Sequence, residues 1–435
     1  MKICVQGLWH LGSVTAACLA SVGHEVIGLH ADESNIHNLS LGNAPLYEPG
    51  LDDLIQKGIA TGKLKFTSNA AQALEAIDVL WVAFDTPVDE EDRADVGFVQ
   101  DQVQAVLPFL ADGAVVLVSS QMPVGSVGSL EAFARQHLPH KTMTFACSPE
   151  NLRLGHALDV FLKPDRFVIG VRDNSTRERL GNMFKPITEN LEWMSVESAE
   201  MTKHALNAFL ATSVTFANEI AAICELVGAD AKEVERGLKT EGRIGSKAYV
   251  SPGGPFAGGT LARDIIFLGI KSKVHRLSTP LLSAVRSSNE EHKNWVRRKL
   301  LQQFSQLKGV AVAIWGLTYK PGTDTLRRSL AVELCDWLLL QGATVYVFDP
   351  ILKTLPERWD GKVIHCSNAL DAVLNVEALV VGTEWPELRQ AASELVFLSN
   401  PGLVVVDANR HLQLQLMESG LQYVAVGTPM RVEVV

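Results

Sequence analysis

The chain has 435 residues, 47% apolar and 20% charged, with 33 glycines, which excludes a disordered or fibrous chain and predicts two or three globular domains. A formal net charge of -10 argues against nucleic acid or an anionic membrane as the main partner, so an anionic ligand needs local Lys and Arg. Six scattered cysteines without CxxC or metal spacing read as free thiols of a reducing cytosol, and an opening apolar strand, with no apolar run of about 18 residues, predicts a cytoplasmic protein without leader or membrane span.

The first strand is expected at 2–6, followed by Gly7-Leu8-Trp9-His10-Leu11-Gly12, a helix over 13–22 and a strand over 24–29. This βαβ unit, opened by glycines, has the layout of a dinucleotide-binding fold. Its G-x-G-x-x-G fingerprint is broken by Trp9 at the second glycine. The acid expected after the second strand is His30, with Asp32 two residues on. Strand patterns follow at 64–67, 78–84, 114–119, 142–148 and 167–171, with helical patterns near 70–76, 98–109 and 128–137. Such alternation predicts α/β architecture with a doubly wound parallel sheet.

Residues 198–227 carry apolar side chains at helical spacing with no Pro or Gly among them, a helix of about 45 Å. Ser195 or Ser198 can cap it, and Gly228 follows its end. Glu200, Lys203 and Asn207 form a polar strip at i, i+3, i+7. Burying a lysine without a partner is costly. The strip is therefore either a solvated stripe or a lysine and an amide aimed into a cleft.

Beyond it come a helix at 231–240, a Gly/Pro-rich loop at 251–259 and more helix to about 307. A second α/β block starts with the strand 310–316, then a helix at 330–341 and strands at 344–348, 363–366, 378–382 and 403–407. Asp349 stands where a Rossmann-like second strand would end. The expected organisation is a Rossmann-like dinucleotide-binding domain (1–196), a central helical region for dimerisation and substrate (197–304), and a C-terminal Rossmann-like domain (305–435). A cleft between the sheets is the default ligand site.

A series of turns punctuates this plan: Tyr47-Glu48-Pro49-Gly50, Thr86-Pro87, Pro123-Val124-Gly125-Ser126, Ser148-Pro149-Glu150-Asn151-Leu152-Arg153 and Arg243-Ile244-Gly245. Pro252 to Asp264, Gly316 to Asp324, Arg327, Ser329 and Thr383-Glu384-Trp385 complete it. Singly each suits any α/β protein. In this order the set closely resembles the UDP-glucose/GDP-mannose dehydrogenase family, from Met1 to about residue 427.

The resemblance implies NAD in the first domain and a nucleotide-diphosphate sugar on the last. It also implies a homodimer around the long helix, and oxidation of a sugar alcohol to a carboxylate through a cysteine adduct. Lys203, Asn207 and Asp264 match the family's catalytic residues, which hold the sugar hydroxyl and the developing alkoxide. Arg243 matches an arginine that reaches the neighbouring subunit's substrate. Glu150, Leu152, Phe256, Gly258, Gly259, Lys320 and Arg327 match substrate positions, and Gly7, Leu11, Gly12, Thr86 and Gln121 match the cofactor side.

The departures are equally specific. Thr260 stands at the cysteine position, and an alcohol is essentially un-ionised where a thiol is partly thiolate. Leu154 replaces a water-activating Glu, and Gln121 a Thr. Around the cofactor, Trp9 replaces a glycine, His30 the ribose-binding Asp, and Asp85 a glycine beside the pyrophosphate. Three readings follow. One is an NAD-dependent oxidoreductase limited to reversible two-electron hydride transfer on a UDP-, GDP- or TDP-hexose. The second is a non-catalytic nucleotide-sugar binder, and the third a conventional four-electron dehydrogenase, ranked last. His10 and His204 read as packed or solvated histidines. No metal site is expected, His137 and His140 being too few ligands.

Overall fold

The computed structural model describes residues 1–89, 94–150, 152–257, 259–397 and 402–429. The chain divides into two units, Met1–Leu206 and Asn207–Val435.

In the first unit the strands are β1 (Lys2–Gln6), β2 (Glu25–Leu29), β3 (Leu64–Thr67), β4 (Val79–Val82), β5 (Ala114–Val118), β6 (Met143–Cys147), β7 (Phe167–Gly170) and β8 (Leu191–Met194). Their spatial order is β3-β2-β1-β4-β5-β6-β7-β8, a 3-2-1-4-5-6 doubly wound sheet with two added strands. All pairings are parallel except β6 with β7. Successive residues of β1 serve opposite faces: Ile3 and Val5 enter one core and Cys4 the other. The strand order reverses between β1 and β4, and the glycine loop lies at the end of β1.

The second unit repeats the plan with β9 (Ala311–Trp315), β10 (Thr344–Phe348), β11 (Val363–His365), β12 (Ala378–Val381), β13 (Val404–Val406) and β14 (Gln422–Val424). The order β11-β10-β9-β12-β13-β14 is again 3-2-1-4-5-6, parallel throughout. The expected α/β class with two Rossmann-like sheets is what the chain forms. Edge strands β8 and β14 went unpredicted, because their few half-buried residues carry no apolar run.

The central helix spans Val196–Val227, beginning two residues before the sequence pattern, with Ser195 Oγ accepting the Ser198 N–H at 3.3 Å. It runs from the first unit into the second. It is also the one described helix long and apolar enough to cross a membrane, with a mean hydropathy of 1.4 over its best stretch, contrary to the expectation that no such run exists. Glu200, His204, Asn207, Asn218 and Glu225 on it are all buried, the pattern of a helix embedded in protein cores.

Candidate functional site

The first helix, His10–Ser21, starts three residues earlier than its apolar pattern, leaving only Gly7, Leu8 and Trp9 as the turn from β1. Gly7 has φ +92°, and a Cβ there would come within 2.7 Å of the Phe84 ring. A Cβ on Gly12 would sit 1.8 Å from the Gly7 carbonyl oxygen. Both glycines are therefore required for the helix to pack this close to the strand. Trp9 is the N-cap but gives no side-chain cap, and its indole is 49% exposed rather than packed under the loop.

The helix head is served instead by Asp85, just beyond β4. Leu11 N–H donates to its Oδ2 at 3.2 Å. Next to it, the buried Thr86 hydroxyl donates to the Gln121 carbonyl at 2.8 Å. At the end of β2, burial lowers the His30 pKa despite the nearby Asp32, so the ring is neutral near pH 7. Asp32 caps the helix Glu33–Ser40 through the N–H groups of Ser34 and Asn35. His10 pairs at 2.9 Å with the buried Glu48, whose carboxylate also accepts the Gly155 and Ala157 N–H groups. The Tyr47–Gly50 turn thus clamps the glycine loop to the 155–157 segment.

The polar strip of the central helix divides in function. Glu200, 5% exposed, accepts the N–H groups of Gly125 and Val127 at 2.7 and 3.0 Å and caps the helix Ser126–His137. Burial raises its pKa. His204 hydrogen-bonds the Met122 carbonyl oxygen at 3.0 Å, a packed histidine. Lys203 is not on a solvated stripe: its side chain is 10% exposed, with its ammonium 3.9 Å from Glu150 Oε1. The other Glu150 oxygen accepts the Leu152 N–H at 2.7 Å. Lys203 and Gln121 line a cavity of about 20 Å³ together with Cys147. Burial holds the Cys147 thiol well above its ordinary pKa, so it is no nucleophile.

In the second unit, the Asn207 amide donates to Asp264, which is fully buried. Asp264 is the fifth residue of the helix Thr260–Val274, just past its first turn, and the N-cap is Gly259 at φ +103°. Thr260 opens this helix and is exposed. Among the described residues all six cysteines are free, and none lies in this loop. Gly258 and Asn151 fall outside the described residues. Phe256 is pinned by Asn289 through two backbone hydrogen bonds and packs against Ala208, Ala211, Ile265 and Val285.

A cavity of about 320 Å³ opens beside β9 and β12, with Lys320, Tyr319, Arg328, Glu384 and Asn409 in its walls. Arg327, the residue singled out by the sequence, is exposed and not among them. Its neighbour Arg328, with a positive φ of 63°, does line the cavity, as does Arg297. Tyr319 and Glu384 were not singled out individually as pocket residues, although the 316–324 and 383–385 segments that carry them stood out as motifs, and Asn409 joins them. Asn409 bridges Glu384 and the Gly254 N–H, while Arg410 turns away to Asp230 at 3.2 Å. Of the adjacent Asn409 and Arg410, the amide rather than the guanidinium therefore lines the cavity. Arg243 is 89% exposed and pairs with Glu241. No group of three or more His, Cys, Asp or Glu positioned for a metal occurs among the described residues.

Two 3-2-1-4-5-6 sheets, a glycine cradle at one switch point and a polar cavity at the other define a protein built to hold two nucleotides. Comparison with known families makes this particular. Residues 1–188 match the NAD binding domain of the UDP-glucose/GDP-mannose dehydrogenase family, 197–291 its central domain and 313–413 its UDP binding domain. The chain is 33% identical to a UDP-glucose 6-dehydrogenase of Rhizobium meliloti, over 99% of this chain and 100% of that one. It is 31% identical to one of Pseudomonas aeruginosa, over 99% and 98%. The structure of a UDP-glucose dehydrogenase from Pyrobaculum islandicum superposes with a TM-score of 0.86 at 28% identity, covering 99% and 98% of the two chains. A UDP-D-ManNAc dehydrogenase of Pyrococcus horikoshii shares the fold at a TM-score of 0.83 and 21% identity, over 98% and 99%. The chain belongs to the UDP-glucose/GDP-mannose dehydrogenase family, a family of nucleotide-sugar oxidoreductases, and the cofactor of its N-terminal domain is NAD.

The glycines of the cradle fit that cofactor. Gly7 and Gly12 leave the backbone bare at the switch point, and the helix head is an anion seat on which a carboxylate, Asp85, already stands in.

Proposed function

We propose that the chain binds a UDP-, GDP- or TDP-hexose in the unit Asn207–Val435 and supports no more than a reversible two-electron oxidation of its sugar. One observation carries this reading: Thr260, not a thiol, stands exposed at the head of its helix, while the buried Asn207–Asp264 pair behind it is intact. NAD, when bound, accepts the hydride. Asp264 fixes the Asn207 amide so that its other N–H is left for the sugar oxygen, and Lys203, in the first unit, is the lysine that the family resemblance makes catalytic. Oxidation onward to a carboxylate needs a covalent adduct and an activated water. Thr260 and Leu154 supply neither.

Lys320 and Arg328 answer the diphosphate charge, and Glu384 and Asn409 supply polar contacts to the remaining nucleotide. The three family segments support the division into domains at 1–196, 197–304 and 305–435. The six free thiols support a reducing compartment, the cytosol.

The test is incubation with NAD and UDP-glucose, GDP-mannose or their N-acetyl relatives, following NADH and product mass together. The expected product is at most an aldehyde or ketone, with one NADH per sugar. Two NADH per sugar and a carboxylate product would overturn the reading. A second reading, a silent nucleotide-sugar binder, is favoured by Asp85 on the helix head. It predicts the same sugar-nucleotide affinity and no NADH.

A further inference from the structure

We propose that Asp85 is a built-in competitor for the pyrophosphate of NAD: its carboxylate occupies the anion seat at the head of the helix His10–Ser21, and the dinucleotide settles there only when Asp85 leaves. The inference rests on the NAD reading of residues 1–188. Three features of the structure support it.

The seat needs an anion. The helix has no side-chain cap from Trp9 and no acidic residue in its first turn, so nothing on its own element answers its first N–H groups and the positive end of its dipole. Asp85 answers them from another element, through the Leu11 N–H at 3.2 Å.

Asp85 is also held in position from both sides. Before it, Ala83 N–H donates to the Gln6 carbonyl at 2.8 Å, continuing the β1–β4 ladder. The Phe84 ring lies over Gly7 and meets Phe98 edge-on at 5.8 Å. After it, the Thr86 hydroxyl is bonded to the Gln121 carbonyl within the core. With both neighbours buried, the carboxylate projects from a fixed strand end towards the glycine loop. Asp85 itself is exposed, tied to the helix head through the Leu11 N–H.

Finally, the geometry sets two anions against each other. A pyrophosphate drawn to the same first-turn N–H groups meets a carboxylate already bonded to one of them. Like charges at such separations repel strongly enough to decide occupancy. NAD affinity is thereby made to depend on a displacement of the 84–86 segment, and a protein in which Asp85 stays put keeps its first unit closed to the cofactor.

The experiment compares the full chain with Asp85→Asn, which keeps an acceptor for Leu11 N–H but removes the charge, and Asp85→Gly, which clears the seat. NAD is titrated by calorimetry, and inorganic pyrophosphate is tested separately by thermal shift. Binding of a UDP-hexose to the second unit checks that each protein is folded. The expected result is NAD bound at least about ten-fold more tightly by Asp85→Gly than by the parent, with Asp85→Asn between them. Pyrophosphate should raise the melting temperature of Asp85→Gly alone. Equal NAD affinity in all three proteins overturns the competition and leaves the NAD reading standing. No NAD binding by any of them, with the sugar nucleotide still bound, overturns both.

Discussion

Thr260 and Arg328 show how much a single position decides. Thr260 opens its helix, is exposed, and follows Gly259 at φ +103°. A thiol placed there would face the helix dipole, which favours thiolate. Thr260→Cys should therefore take up one additional iodoacetamide adduct per chain at pH 7, at a rate about ten-fold above that of an ordinary exposed cysteine. Intact-mass measurement checks this, and an unmodified Cys at 260 would show that the loop does not present the position as described. Five of the six native thiols are buried and should stay silent. In the second unit, Lys320 and Arg328 line the cavity while Arg327 does not. A charge-assisted contact to phosphate contributes roughly 1.5–3 kcal/mol. Lys320→Ala and Arg328→Ala should each weaken sugar-nucleotide binding about ten-fold or more in calorimetry, and Arg327→Ala distinctly less. Residue type pointed to Arg327, and the positive φ at Arg328 that goes with its place in the cavity wall leaves no mark in residue type.

At the scale of elements, the long helix was legible from its uninterrupted apolar spacing, and its polar strip was not. Glu200, Lys203 and Asn207 share a face, yet one caps a neighbouring helix, one pairs with Glu150 and one bonds Asp264. Spacing gives the face and is silent on the partners. The same helix carries Phe209, Phe216, Ile223 and Leu226 largely exposed at 69%, 48%, 56% and 72%. Side chains at this spacing make an apolar stripe too large for an ordinary solvated surface. We propose that a second copy covers it and that the exposed Arg243 reaches that copy's ligand site. Phe209→Lys with Phe216→Lys should turn the homodimer into a monomer of 47.3 kDa by light scattering, and a parent chain that is already monomeric would remove the proposal. The helix Ala231–Thr240 gives a pH prediction. Burial alone would raise the Glu235 pKa, but hydrogen bonds from Lys239, Ser251 and Lys232 more than offset it and hold it down to about 2. Because the folded-state pKa lies below the unfolded one, the stabilisation is complete above about pH 5 and fades as pH falls towards 2. Glu235→Gln should cost roughly 1–3 kcal/mol at pH 7. It should also flatten the pH dependence of denaturant midpoints in that window.

For the whole molecule, alternation of strand and helix was enough to read two doubly wound sheets, since a buried parallel strand is a continuous apolar run and its crossover helix has another period. Ser-Pro, Gly-Pro and Thr-Pro turns in a fixed order then carried the family. What the residues could not reveal was the contact: the resemblance puts Asp85 beside the pyrophosphate, and only the fold puts its carboxylate on the Leu11 N–H. This makes the two units unequal in what they bind as isolated from the cell. The second offers a polar cavity of about 320 Å³ with two lysines and two arginines in its walls. The first offers an anion seat that its own carboxylate holds. A ligand at one hundred times its dissociation constant stabilises the form that binds it by about 2.7 kcal/mol. For a unit the size of Asn207–Val435 that corresponds to a rise of about 5–10 °C in melting temperature. The matching sugar nucleotide should produce a shift of this size in the parent chain, whereas NAD at the same millimolar concentration should produce little until Asp85 is replaced. A large NAD shift in the parent, equal to that of Asp85→Gly, would mean that the carboxylate yields the seat at no measurable cost, and the first unit would then be as ready for its cofactor as the second is for its nucleotide.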